Sequence, residues 1–397
     1  MLRRIKNNTA IVFCMMVFFS CNNKKAIPQN TDLTTLKFTV AADTAWTNLF
    51  NRKHGWFGAD GIFSIPVNGV DTAGANNETL LFFSDTMLGD IVNDSLKPGY
   101  VMIHNTAAII KDNEPADANI NFYWDTVNSK PIGLFTPNTA NAKKEDYYWL
   151  GDGFVNKDLN ATYVFAYRIR DTSAAAFGFA EVGNTIIKIP ANSKPPFKDA
   201  QQIETPFFLS GTAETYGSFG ACVFNNTSSS GNKNADGFVY VYGVRGKKKD
   251  VMVARVKPAD FETFSAWRFW DGQQWNADIK KVANITDRAS NELSISPLPD
   301  GRYAMVFQTD GLGRDVGLRL SNHPEGPFGP VIKVWHCSEP DIAKNFIVYN
   351  AKAHPNLSKQ NELLISYNVN SFDFWNDIKT HPDLYRPRFI TLKLLPD

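Results

Sequence analysis

Apolar residues along this chain come in short runs broken by glycine, proline, asparagine and aspartate, and the rhythm persists from residue 36 to residue 394. Runs such as 185–190, 237–244, 302–308 and 362–369 alternate or stay apolar throughout, as half-buried and fully buried strands do. Segments with a 3.6-residue period are scarce: 259–267 predicts a helical turn or two, and 371–379 another. The pattern therefore predicts an all-β chain.

The strand runs fall into groups of comparable size. The first covers 36–130. The second opens at 147–153 and continues through 161–168 and 185–190. The third holds 217–224, 237–244 and 250–256, the fourth 292–297, 302–308 and 316–321, and the fifth 348–354, 362–369 and 388–394. Strand groups without helical crossovers suit a sandwich, a barrel or a propeller. A unit of roughly 70 residues, larger than the ~40–45 of a WD40 blade, suits blades with long loops. Runs at both ends, 36–41 and 388–394, can pair and leave no open edge. The expectation is a single five-bladed β-propeller over residues 36–397. Two β-sandwiches in tandem are the alternative, against which stands the lack of a linker-like break between 130 and 390.

The first residues read as an address. Arg3, Arg4 and Lys6 precede an apolar stretch, 10–19, too short to span a bilayer, and Ser20-Cys21 ends it. A small residue followed by cysteine there resembles a bacterial lipobox. The resemblance implies a leader over 1–21, acylation of Cys21 and a polar tether over 22–35, with the rest held at the cell envelope by acyl chains. Lys and Arg total 41 against 40 Asp and Glu, for a formal net charge of +1. The cationic run Lys247-Lys248-Lys249 follows Gly246 in a hairpin-like turn and reads as a solvated loop. Nucleic acid is thus a poor partner, because neutralising phosphates takes clustered cations. With Cys14 in the leader and Cys21 acylated, Cys222 and Cys337 remain, either as one disulfide or as buried thiols.

The candidate chemistry is acidic. Asp60 lies in Gly58-Ala59-Asp60-Gly61-Ile62-Phe63-Ser64 and Asp85 in Phe82-Phe83-Ser84-Asp85-Thr86, two apolar runs separated by a polar turn segment. A hairpin bringing two carboxylates together suits general acid/base or nucleophilic work, although Asp85 also fits an Asx-turn cap. Glycine and alanine around Asp60 leave room for a substrate, so Asp60 is expected as nucleophile or base. Glu292 opens the fourth strand group and is the expected general acid, unless it salt-bridges Arg288 or Arg319. Asp152, between Gly151 and Gly153, is either a supporting acid or a turn residue. His104, Asn105 and His354 are candidates to orient a carboxylate or bind a sugar hydroxyl, and Arg314 is a loop cation that could touch substrate. Trp149, Trp270, Trp275, Trp375, Tyr349 and Phe57 could stack on sugar rings. The chain has no HExxH, CxxC or calcium-loop pattern and no GxSxG elbow or Walker loop. No cofactor or metal is expected from the motifs, with a structural ion in a central channel left open.

The fourth group carries a recognisable text: Glu292-Leu293-Ser294-Ile295-Ser296-Pro297, an Asp300-Gly301 turn, a second strand, 316–321, and Pro324-Glu325-Gly326-Pro327-Phe328. It resembles a blade of the arabinanase-like and sucrase-like five-bladed glycosidases. Tyr349-Asn350-Ala351-Lys352-Ala353-His354-Pro355 in the fifth group is similar. The Ala-Asp-Gly and Phe-Ser-Asp-Thr of the opening hairpin resemble the domain-of-unknown-function family numbered 4185, which includes endo-acting arabinofuranosidases. The resemblance implies a glycoside hydrolase acting on a polysaccharide or oligosaccharide, with arabinofuranose as a candidate unit and Asp85 helping to build the site. A carbohydrate- or protein-binding propeller without catalysis is the rival.

Overall fold

The computed structural model describes residues 32–396, apart from 76 and 174–177. The expected leader 1–21, Cys21 and most of the tether lie outside those residues. The fold is all-β, and each strand group is an antiparallel sheet. In the first, Phe63–Pro66, Thr79–Phe83, Thr106–Ile110 and Ile120–Tyr123 lie side by side in chain order. The second runs Tyr147–Asn156, Ala161–Asp171, Phe179–Pro190 and Gln201–Glu204. The third is built on Gly217–Asn226, Phe238–Arg245 and Asp250–Val256, with short strands at both edges. The fourth runs Leu293–Pro297, Tyr303–Gln308, Asp315–Ser321 and Ile332–His336. The fifth runs Phe346–Ala353, Glu362–Ser371 and Arg388–Leu394, and Phe38–Ala42 completes it from the other end of the chain.

Alternation within the strands explains how the sheets stack. On Tyr303–Gln308, Ala304 and Val306 pack with the fifth sheet, while Met305 and Phe307 pack with the third. On Ala161–Asp171, Tyr163 and Phe165 face the third sheet, and Val164 and Ala166 face the first. A side-chain period of two thus sends one apolar set into each neighbouring seam, so both faces are buried. Buried clusters occupy the seams between consecutive sheets, including one between the first and the fifth where Leu81 and Phe83 meet Leu364 and Phe389.

The leading strands of the sheets touch one another in chain order, from Phe63–Pro66 to Phe346–Ala353. Ser64 then donates to Asn356 Oδ1 at 2.9 Å and lies 3.0 Å from His354 Nδ1, which returns the last sheet to the first. These strands surround a central channel, and one small cavity in it is lined from all five sheets.

Helices are few. The turn expected over 259–267 is two short 3₁₀ turns, Pro258–Asp260 and Phe264–Ala266, and the one over 371–379 is the α-helix Phe374–Thr380. A helix at Thr44–Leu49 was not foreseen; Asp43 caps it, its carboxylate accepting from the Trp46 N–H at 3.1 Å. Cys222 and Cys337 are buried free thiols, so no disulfide joins them.

Candidate active site

The opening hairpin is a bent ribbon. Phe63–Pro66 pairs with Thr79–Phe83, opposing Phe63 to Phe82, and the preceding His54–Ala59 pairs with Thr86–Val92, opposing Ala59 to Thr86. Where the ribbon changes sheets, Asp60 and Asp85 face each other. The Asp60 N–H donates to the Asp85 carbonyl at 3.2 Å, and the Ser84 N–H to the Asp60 carbonyl at 2.9 Å. Two glycines permit the bend. A Cβ on Gly58 would lie 2.5 Å from the Tyr385 carbonyl, and Gly61 holds φ +64°, a left-handed backbone that glycine adopts freely.

Asp60 Oδ2 accepts from the Tyr349 hydroxyl at 2.8 Å, while no donor among the described residues reaches its buried Oδ1. Burial pushes this carboxyl up to about 8, and the negative charges of Asp85 and Glu292 add to the effect. Asp85 is held differently: its Oδ1 accepts from the Trp149 indole N–H at 3.0 Å and lies 3.0 Å from His104 Nδ1. The His104 ring in turn stacks on Tyr147 with centroids 3.8 Å apart. Asp60, Asp85 and Glu292 thus share one electrostatic site.

Glu292 is 8% exposed. Its Oε1 accepts from Asn350 Nδ2 at 2.8 Å and its Oε2 from the Lys352 ammonium, itself buried over the Phe63 ring. Burial raises this carboxyl, and the Lys352 charge opposes the rise. Arg288 and Arg319 are not its partners; they pair with Asp310 and Asp287. A β-bulge between Tyr349 and Lys352 aims Asn350 at Glu292. The equivalent bulge between Leu150 and Gly153 turns Asp152 inward, so that residue sits inside a strand and not in a turn. Its carboxylate accepts from the Gly153 N–H at 2.8 Å and from the Val223 N–H, on the third sheet, at 2.7 Å. Burial lifts it to about 7. Asp152 and Asp71 line a cavity of about 30 Å³ in the channel, together with Ser64, Ser294, Lys352 and His354. That volume holds only about one or two waters. Among the described residues, no three His, Cys, Asp or Glu side chains are grouped to hold a metal ion.

Other candidates sit elsewhere. His354 is 1% exposed and its two ring nitrogens face Ser64 and Ser366, so it fastens the fifth sheet to the first and is closed to substrate. Asn105, equally buried, spends its amide on the main chain of Phe135 and Tyr148. Arg314 forms a 2.7 Å ion pair with Asp341. Phe57 is fully buried, and Trp270 and Trp275 belong to the outer strands of the third sheet. Trp375 is exposed and stacks on Tyr100. The reading from sequence missed Lys352, Tyr385, whose buried phenol stands beside Asp60 and acts on its carboxyl, and Glu181. Burial pushes the Glu181 carboxyl up to about 7, beside the Tyr216 hydroxyl at 3.2 Å. An acid opening an apolar strand was its available signal.

Among solved structures, a Bacteroides ovatus protein provisionally described as a hydrolase is similar to this chain. It is 20% identical, with a TM-score of 0.68, over 91% of this chain and 97% of that one, which is a likeness of fold. The Podospora anserina α-L-arabinofuranosidase, solved with cellotriose, aligns with a TM-score of 0.43 and 12% identity over 84% of this chain and 97% of its own. A Xanthomonas citri GH43_1 enzyme complexed with xylose gives 0.43 and 13% over 89% and 94%. At that distance neither assigns an activity here. No curated protein matches the sequence. The family profile that does match is not the one numbered 4185 but the domain of unknown function DUF5005, over residues 43–394, and the chain belongs to that family.

Proposed function

We propose that this protein is a glycoside hydrolase that cleaves polysaccharide or oligosaccharide chains with the Asp60–Asp85 pair. The domain is read as one five-bladed β-propeller over 36–397, tethered at the cell envelope through acylated Cys21. The carrying observation is the face-to-face pair itself. One carboxyl, Asp60, is pushed up to about 8, and the other is held by two ring nitrogens. An acid that keeps its proton, facing a second acid fixed by hydrogen bonds, supplies a proton donor and a partner to attack.

The roles therefore differ from those expected from sequence. Asp60 holds a proton at neutral pH and suits the general acid. Glu292, bound to Lys352, serves better as a fixed negative charge that keeps Asp60 protonated, with Asp152 supporting from below. The route is read as a retaining one, in which the second acid attacks directly. In the first step Asp60 gives its proton to the glycosidic oxygen while Asp85 attacks the anomeric carbon, forming a glycosyl ester as the leaving alcohol departs. In the second, Asp60, now a carboxylate, takes a proton from water, and the hydroxide formed releases the sugar and frees Asp85. Arabinofuranose-containing chains are the substrates to test first, on the strength of the hairpin's resemblance.

The test is a polysaccharide digestion panel with wild type, Asp60→Asn and Asp85→Asn. Wild type should release products, and each variant should lose roughly 10³-fold in rate. Product formation by Asp60→Asn at the wild-type rate would remove that residue from the mechanism. Binding without cleavage by all three proteins would replace hydrolysis with a lectin-like role.

A further inference from the structure

We propose that the seam between the second and third sheets holds a carbohydrate subsite, in which Glu181 hydrogen-bonds a hydroxyl and Phe179, Tyr216 and Trp149 contact the ring of the sugar unit next to the one cleaved. The proposal rests on the hydrolase reading above.

Three observations carry it. First, Glu181 is an incomplete hydrogen-bonding group. Its Oε2 receives the Tyr216 hydroxyl at 3.2 Å and the Ser218 hydroxyl lies nearby, but Oε1 itself has no hydrogen-bond partner among the described residues. A shielded oxygen left unbonded is costly, and a ligand hydroxyl would satisfy it. Second, large rings stand exposed on both sides: Phe179 is 37% and Tyr216 38% exposed, although both belong to or adjoin strands whose other aromatics are buried. Exposed ring faces flanking a few placed polar groups are how a protein takes up a sugar, whose C–H face stacks while its hydroxyls bond. Third, the seam communicates with the acids. Trp149 meets Phe179 edge-on at 4.6 Å and gives its indole N–H to Asp85. Tyr167, opposite Trp149 in the sheet, lies among Glu181, Glu292 and Asp152, whose charges all act on its phenol. A sugar resting on Trp149 would therefore lie beside Asp85.

The same surroundings set the ligand class. Glu181, Asp85 and Glu292 are all acids, and Lys352 is committed to Glu292. A carboxylated or phosphorylated sugar would be repelled, so the subsite takes a neutral sugar.

Steady-state kinetics on a length series of neutral oligosaccharides, with Glu181→Ala, Glu181→Gln and Phe179→Ala, tests this. The alanine variants should raise KM about tenfold on substrates long enough to fill the subsite, with a much smaller change in kcat and no penalty on the shortest cleaved substrate. Glu181→Gln should recover part of the loss. Quenching of tryptophan fluorescence by the same oligosaccharides, titrated into Asp60→Asn, should weaken in parallel when Glu181→Ala is added. Unchanged KM and quenching in both alanine variants, with wild type active, would overturn the subsite alone. Absence of any saccharide binding or cleavage by wild type would overturn the hydrolase reading with it.

Discussion

Asp60 is chemically unusual because its neighbours are acids and phenols, not cations. Its carboxyl is lifted from 3.8 to about 8, so between those values the folded chain keeps a proton that the unfolded chain has released. Stability then falls as pH rises across that window, since the unfolded state binds fewer protons there. Asp60→Asn removes this liability. It should match wild type near pH 4 and exceed it by on the order of 4 kcal/mol at pH 7, read from denaturant unfolding at the two values. An equal difference at both values would mean that the acid is not held protonated. As the proton donor, Asp60 should also make activity fall as pH rises through about 8, visible in a kcat/KM profile. Such acids were legible in the sequence because each interrupts an apolar run. Lys352 was not. A lysine in Asn350-Ala351-Lys352-Ala353 reads as a surface residue, and its burial follows from a glutamate sixty positions earlier.

At the scale of the strand, bulges decide which side chains enter the channel. The run 147–153 was legible as a strand, yet simple alternation would not send both Trp149 and Asp152 to where they act. The irregularity between Leu150 and Gly153 does so, as the one after Tyr349 does for Asn350 and Lys352. Glycines inside apolar strands, Gly151 and Gly153, are the trace this leaves in sequence, because bulges and close backbone approach both favour glycine. Register across a bulge depends on the partner strand, which periodicity does not reveal. The Lys352–Glu292 pair that results is buried on both sides, 3% and 10% exposed at the side chains. Lys352→Met should destabilise the protein by about 3 kcal/mol by leaving a buried carboxylate without its counter-ion. Adding Glu292→Gln should restore much of that, so a double-mutant cycle on urea midpoints should show strong coupling. Additive losses would mean that the pair is not an energetic unit.

For the whole molecule, the apolar content is distributed into seams between sheets, and no seam is complete without the sheet on its far side. This explains why strand groups were readable one by one while their arrangement was not: each strand shows two apolar faces but not which neighbours cover them. The ends of the chain illustrate the dependence. Phe38–Ala42 pairs with Arg388–Leu394 from Phe38 opposite Leu394 to Ala42 opposite Ile390, so the fifth sheet draws its outer strand from the start of the domain. Half-buried Leu36, Phe38 and Val40 also pack on the cluster between the fourth and fifth sheets. A chain beginning at Asp43 keeps the helix cap and the Asp43 N–H bond to the Phe389 carbonyl but bares one edge of Arg388–Leu394. Five cross-strand pairs at ~0.2–1 kcal/mol each suggest a loss of about 2 kcal/mol. The bared edge is also a template for pairing with a second chain. The truncated protein should therefore melt earlier and form larger species as concentration rises, seen by calorimetry and size-exclusion chromatography. Returning 36–42 as a separate peptide should reverse both changes. An unaltered melting temperature with a single monomeric peak would show that the fifth sheet stands without its closing strand.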